Sequence, residues 1–146
     1  MPPPPEEVPQ ALSDLEKFLH DGAGLPPLVQ VGLAHAQFET IHPFLDGNGR
    51  VGRLLITFLL TEKRLLARPV LYLSHYFKQR RAEYYERLQA VRDAGDWEGW
   101  LAFFLDGVAE VSQQATRPPL RFCACARTTA PESPSTWAVP PPTASA

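Results

Sequence analysis

From Leu12 to Val108 the apolar positions of this chain recur at intervals of three and four, the period of helices that pack by one face. Leu12, Leu15 and Leu19 mark a first helix, ended by Gly22 and Gly24. Pro26 and Pro27 suit the first turn of a second, with apolar positions Val29, Leu33, Ala36 and Phe38. Pro43 biases His42 out of the α region, which predicts a stop near Ile41. A third helix starting near Gly49 carries Val51, Leu54, Leu55, Phe58 and Leu59, spacings that predict a core-facing stripe. The chain turns across residues 65–69. Ser74 is the expected N-cap of a long fourth helix through Arg92, with Phe77, Tyr84, Tyr85, Leu88 and Val91 as its less polar positions. Asp96 is the expected cap of a fifth, whose face is Trp100, Leu101, Phe104, Leu105 and Val108 and which Pro118-Pro119 must end.

No stretch alternates apolar and polar residues long enough to build a sheet, and no internal repeat is visible. The expectation is an all-α core of about five helices over residues 10–117. Residues 1–9 read as an extended, Pro-rich lead-in. Residues 118–146, rich in Pro, Ala, Ser and Thr, cannot bury enough surface to offset their ordering entropy and read as a disordered tail.

Composition narrows the class. Of 146 residues, 45% are apolar and 21% charged, the globular range. The net charge of −2 offers no footprint for a duplex, so nucleic acid is not an expected partner. The apolar run at residues 54–60 is far short of the roughly 20 residues that cross a bilayer. Met-Pro-Pro-Pro-Pro-Glu-Glu lacks the basic start and apolar run of a signal peptide, which makes the expected address cytoplasmic, away from membranes. Cys123 and Cys125 have no companions for a zinc site or a structural disulfide and read as unpaired tail thiols.

Chemistry concentrates in residues 42–53, His-Pro-Phe-Leu-Asp-Gly-Asn-Gly-Arg-Val-Gly-Arg. Gly47 and Gly49 let the backbone approach a ligand, and the next helix aims its free N–H groups and positive dipole end at the same place. Asp46 is a hard oxygen ligand suited to Mg²⁺, which takes one or two carboxylates plus substrate phosphates. Arg50 and Arg53 share one face of that helix, where cations are unfavourable unless an anion joins them. His42 stands at the loop entrance, and imidazoles accept protons near neutral pH. Gly47, Gly49 and Gly52 also spell G-x-G-x-x-G, but that pattern has meaning only after a strand in a βαβ unit, and none is predicted. No G-x-x-x-x-G-K-[ST] phosphate loop is present.

This run resembles the signature of Fic-domain proteins, His-Pro-Phe-x-[Asp/Glu]-Gly-Asn-Gly-Arg-x-x-Arg, with every fixed position filled. The similarity extends to the opening Pro-rich segment, to Ala34-His35 and Phe38-Glu39, and to Tyr84-Tyr85 and Gly95-Asp96. It covers roughly residues 2–115. The resemblance implies a Fic-type helical bundle that transfers AMP from ATP to a Ser, Thr or Tyr hydroxyl of a protein, another chain or itself. It makes His42 the general base and Asp46 the Mg²⁺ ligand. Gly47, Asn48 and Gly49 would cradle the α-phosphate, Arg50 the β-phosphate, and Arg53 would reach toward the γ-phosphate, Val51 and Gly52 completing the nucleotide-binding run. Tyr84, Tyr85, Leu88 and Arg92 occupy the stretch that the family sets against the nucleoside. A related phosphorylating subgroup carries Lys where Gly49 stands, so Gly49 favours nucleotidyl transfer. A homodimer is left open.

The blander assignments are packing for His35, Trp97 and Trp100, surface positions for His20 and His75, and solvated faces for Lys63-Arg64 and Arg80-Arg81. Tyr84 and Tyr85 stand evenly between core aromatics and nucleoside contacts. The family's β-hairpin flap, which pins a target chain by strand addition, is not in this sequence, nor is its inhibitory [Ser/Thr]-x-x-x-Glu-[Gly/Asn] pattern. The change of composition near residues 118–121 resembles a shifted reading frame. A truncated Fic product with intact chemistry is therefore the expectation. Two alternatives remain: a silent remnant that binds a nucleotide or a partner, and a Mg²⁺-dependent hydrolase that removes AMP.

Overall fold

The structure is a computed structural model that describes residues 2–21, 24–65 and 73–116. Among these residues six helices follow in order: α1 (Val8–Asp21), α2 (Pro27–Ile41), α3 (Asn48–Glu62), α4 (Leu73–Gln79), α5 (Arg81–Ala94) and α6 (Trp97–Thr116). Among the described residues there is no strand, as the sequence pattern requires, and no helix is long and apolar enough to cross a membrane. The tail at 118–146, with Cys123 and Cys125, lies outside the described residues, as does most of the turn at 65–69.

The bundle is organised around α2, which packs against α1, α3, α5 and α6. Its sequence explains this. Val31, Ala34, Ala36, Phe38 and Ile41 point to several sides at once, so burial must surround the helix rather than meet one stripe. Pro27 occupies the first helical turn, where a missing N–H costs nothing, and the helix stops at Ile41, as His42-Pro43 predicts. α6 crosses α2 at Gly32, where a Cβ would stand 3.0 Å from both Leu101 Cδ2 and Phe104 Cδ1. The bare backbone there lets the Trp100 indole N–H donate to the Gly32 carbonyl at 2.8 Å. Around Trp100, fully buried, gather the rings of Phe77, Tyr84, Phe103 and Phe104. A second cluster joins α1 to α2 through Leu15, Ala34, Phe38 and Ile41. The buried Gln30 amide closes the end of α1 by donating to the carbonyls of Phe18 and Leu19 at 2.9 and 3.1 Å.

Three expectations change. α1 starts at Val8 rather than after the lead-in, because a proline at its second position lacks only an N–H that a first turn does not use. The long fourth helix is two helices, α4 and α5, broken at Arg80 (φ −104°, ψ 39°), and Ser74 lies inside α4 instead of capping it. In one straight helix Phe77 and Tyr84 would be about 10 Å apart along the axis. The break folds them into a stack at 4.9 Å, and Arg80 is held outside by Glu110 (3.2 Å) and the Tyr76 ring (4.8 Å). Third, the predicted stripe of α3 is only partly core-facing. Val51, Leu54 and Phe58 are exposed, and the buried line is Asn48, Gly52, Ile56 and Leu60, with Leu55 and Leu59 half-buried beside it. The inner line has an i, i+4 repeat of its own, but its first two members are not apolar. In α6 the expected face is right and gains Phe103, and Asp96 caps it by accepting the Gly99 N–H at 2.9 Å.

Candidate active site

The residues of the 42–53 run meet at one end of the bundle, between the C-terminus of α2 and the N-terminus of α3. Two backbone reversals make the loop. His42 is in the left-handed region (φ 52°, ψ 56°), an uncommon conformation for a residue with a Cβ, and Gly47 (φ 83°) is the N-cap of α3. Asn48, buried, fastens the span between them: its Oδ1 accepts the Phe44 N–H at 2.9 Å and its Nδ2 donates to the Phe44 carbonyl. The Asn48 amide therefore shapes the loop, and it is the backbone N–H groups of Asn48 and Gly49 that precede the first helical bonds, which begin with Arg50 and Val51 donating to Gly47 O.

The charged side chains project outward from this frame. Asp46 accepts the Gly47 N–H at 2.7 Å and lies 3.6 Å from Arg50 Nη2, both groups strongly exposed. Among the described residues no group of three acidic, histidine or cysteine side chains could enclose a metal. Asp46 is thus an open, single-carboxylate position, which fits Mg²⁺ carried by substrate phosphates and does not fit a protein-only cage. Arg53 folds back over the helix start, its Nη1 within 3.1 Å of where a Gly49 Cβ would stand. It lies between a cavity of about 390 Å³, which it lines with Lys78, Arg81 and Tyr85, and a groove of about 630 Å³ lined with Arg50, Leu54 and Phe58.

Beneath the loop is a polar floor that the sequence pattern did not reveal. His35 is completely buried, its Nδ1 3.0 Å from the Gly52 carbonyl and its Nε2 3.0 Å from the Tyr84 hydroxyl. The Gly52 carbonyl can only accept, so Nδ1 carries the proton and Nε2 accepts from Tyr84. Burial pushes the His35 pKa down to about 4, which keeps the ring neutral. Burial also raises the Tyr84 phenol above its ordinary value. Glu39 is buried too, and among the described residues its Oε1 has no hydrogen-bond partner. Desolvation raises its pKa, and the charges of His42, Arg53 and Arg92 oppose the rise. Gly52 sits against this carboxylate so closely that any Cβ would collide with Oε1.

Of the stretch expected near a nucleoside, Tyr84 and Leu88 are core side chains, each under 5% exposed. Tyr85 is half exposed, with Arg81 over its ring at 5.6 Å. Arg92 reaches α2, where Nη2 donates to the Glu39 carbonyl; the same carbonyl lies 3.3 Å from His42 Nδ1. His35 is a packing residue, as expected, and His20 and His75 are on the surface.

Residues 1–60 match the family model described as Fic/DOC family. The chain is similar to a probable protein adenylyltransferase of Aquifex aeolicus, 42% identical over 65 residues that make up 44% of this chain and 20% of the relative. It is 33% identical to the protein adenylyltransferase Fic of Drosophila ananassae over 108 residues, 73% of this chain and again 20% of the relative. The chain thus spans about a fifth of the length of these curated relatives. Among solved structures, a Fic family protein from Desulfovibrio desulfuricans superposes with a TM-score of 0.71 at 34% identity, covering 79% of this chain and 35% of that one.

Proposed function

This chain belongs to the Fic/DOC family, and we propose that its 42–53 loop transfers AMP from ATP to a hydroxyl of a protein side chain. The observation that carries the reading is the convergence of His42, Asp46, two arginines and free helix N–H groups at one open site.

The target hydroxyl oxygen attacks the α-phosphorus, a new P–O bond forms, and the bond to the oxygen bridging the β-phosphate breaks to release pyrophosphate. His42 takes the hydroxyl proton. Its Nδ1 faces the Glu39 carbonyl, which can only accept, so the neutral ring keeps its proton there and presents Nε2 as the free base. The N–H groups of Asn48 and Gly49, at the positive end of α3, meet the charge that develops on the α-phosphate. Arg50 takes the β-phosphate and Arg53 the γ-phosphate, which accounts for two cations at a helix start that otherwise disfavours them. Asp46 would hold Mg²⁺, which when bound draws charge off the phosphates. Tyr85 offers a partly exposed ring to the nucleoside. Gly49 suits this chemistry, because a longer side chain there would displace Arg53. A cytosolic setting supplies ATP and Mg²⁺, and a second copy of the chain is one available target.

Incubation with α-labelled ATP and Mg²⁺ tests the proposal, beside His42→Ala and Asp46→Ala. Label should appear on protein with the unaltered chain alone. A general base contributes about 10²–10⁴-fold, so losing His42 should raise the barrier by roughly 3–5 kcal/mol. ATP binding with no label transfer would instead favour a nucleotide-binding module, and release of AMP from a modified protein would favour the hydrolase.

A further inference from the structure

The Glu39 carbonyl owes its availability to the residue four positions on. In a helix it would accept the N–H of residue 43, and residue 43 is proline, which has none. A carbonyl oxygen has two acceptor positions. Here one faces His42 Nδ1 at 3.3 Å and the other takes Nη2 of Arg92, reaching in from α5. Arg92 is also one of the cations whose charge opposes the upward shift of the buried Glu39 carboxyl.

We propose that Arg92 is a positioning residue for His42: by clamping the Glu39 carbonyl at the end of α2, it fixes the acceptor that holds the imidazole proton on Nδ1 and leaves Nε2 free. This rests on the reading of His42 as the general base, and it moves Arg92 from the nucleoside contact that its place in the sequence suggests to the geometry of the base. The guanidinium is bound to the chain itself. Its contribution should therefore fall on turnover and not on nucleotide affinity.

The test follows the His42 tautomer directly, by long-range ¹H–¹⁵N correlation in the ¹⁵N-labelled full chain, with the His42 signals assigned by their loss in His42→Ala. In the unaltered chain the neutral ring should carry its proton on Nδ1. Arg92→Gln should show a mixture of both tautomers, and Arg92→Lys, which keeps a cationic donor, should restore most of the Nδ1 form. In the labelling assay Arg92→Gln should lower kcat about tenfold while KM for ATP stays within about twofold, the signature of a group that acts on the base. An unchanged tautomer in Arg92→Gln would overturn the proposal, as would a raised KM at unchanged kcat. If the unaltered chain transfers no label, the transfer reading falls and the tautomer comparison still decides the role of Arg92.

Discussion

Lowering the pH should loosen the fold through His35. The unfolded chain protonates this imidazole near pH 6.5, whereas the buried ring resists until about 4. The neutral ring is what the fold accommodates, so its stabilising contribution is fully present above pH 6.5 and is lost as pH falls from 6.5 toward 4. Each pKa unit corresponds to about 1.4 kcal/mol, so the whole loss is roughly 3 kcal/mol, of which about 2 is gone by about pH 5. Against a typical domain stability of about 5–15 kcal/mol that is a large fraction. Glu39 runs the other way: burial raises its pKa, so the folded chain holds that proton more readily and gains stability as acid is added. A single pH series would mix the two. Urea unfolding at about pH 7.5 and about pH 5 should therefore be run on the unaltered chain and on His35→Gln, which keeps hydrogen-bonding capacity toward Gly52 and Tyr84 but cannot titrate. The unaltered chain should lose about 2 kcal/mol more than the variant between the two pH values. Equal losses would refute the reasoning, and so would a His35 ring-proton NMR shift that titrates near pH 6.5 in the folded chain.

Gly52→Ala brings a Cβ into Glu39 Oε1 and within 3.1 Å of His35 Cε1. Overpacking of about 1–3 kcal/mol outweighs the helix-propensity gain of about 1 kcal/mol, and Glu39→Ala in the same chain should relieve most of it, measured by a double-mutant cycle of thermal unfolding; additive effects would deny the contact. Trp100→Phe removes the donor to the Gly32 carbonyl and part of the ring cluster, and denaturant titration should show a loss of about 2–4 kcal/mol. Phe58→Gln, on the outward side of α3, should change stability by less than about 0.5 kcal/mol. A loss comparable to that of Trp100→Phe would mean that Phe58 is buried in solution.

The helices were legible where local rules decide them. Prolines at 27 and 43 bracket α2, and Asp96 marks the start of α6. The outward loop was legible as a candidate anion site from its residues, since glycines, Asp46 and paired arginines in that order suit a bound polyphosphate. What sequence spacing could not supply was the direction of α3. Two sets of residues there fit a helical period, and the wholly apolar set is the more exposed one, because the buried line begins with Asn48, which fastens the loop, and Gly52, which makes room for Glu39. The α4–α5 break was equally hidden. Nothing in Lys78-Gln79-Arg80-Arg81 prevents a helix, and the stacking of Phe77 on Tyr84 across the break is a tertiary gain. The sequence left Tyr84 evenly between core and nucleoside contact for the same reason, since burial is decided by partners far along the chain. One signal was available and easily missed: Pro43, four residues after Glu39, leaves that carbonyl without its helical donor.

The buried imidazole at position 35 also sets the timescales of the site. It ties the motif helix to α5, and the indole beside it ties α2 to α6, across 17, 49 and 68 residues of chain. Amides along the inner line of α3 should therefore exchange their hydrogens only in openings that dismantle this cluster, as slowly as the most protected parts of the molecule. Residues 44–47 are held by shorter-range ties, the Asn48 clasp and the contact of the Phe44 and Phe38 rings, and can fluctuate faster. The rim can adapt to whatever approaches while the ground under His42 stays fixed, and a lesion deep in the aromatic cluster should register at the loop as a loss of persistence before any loss of shape.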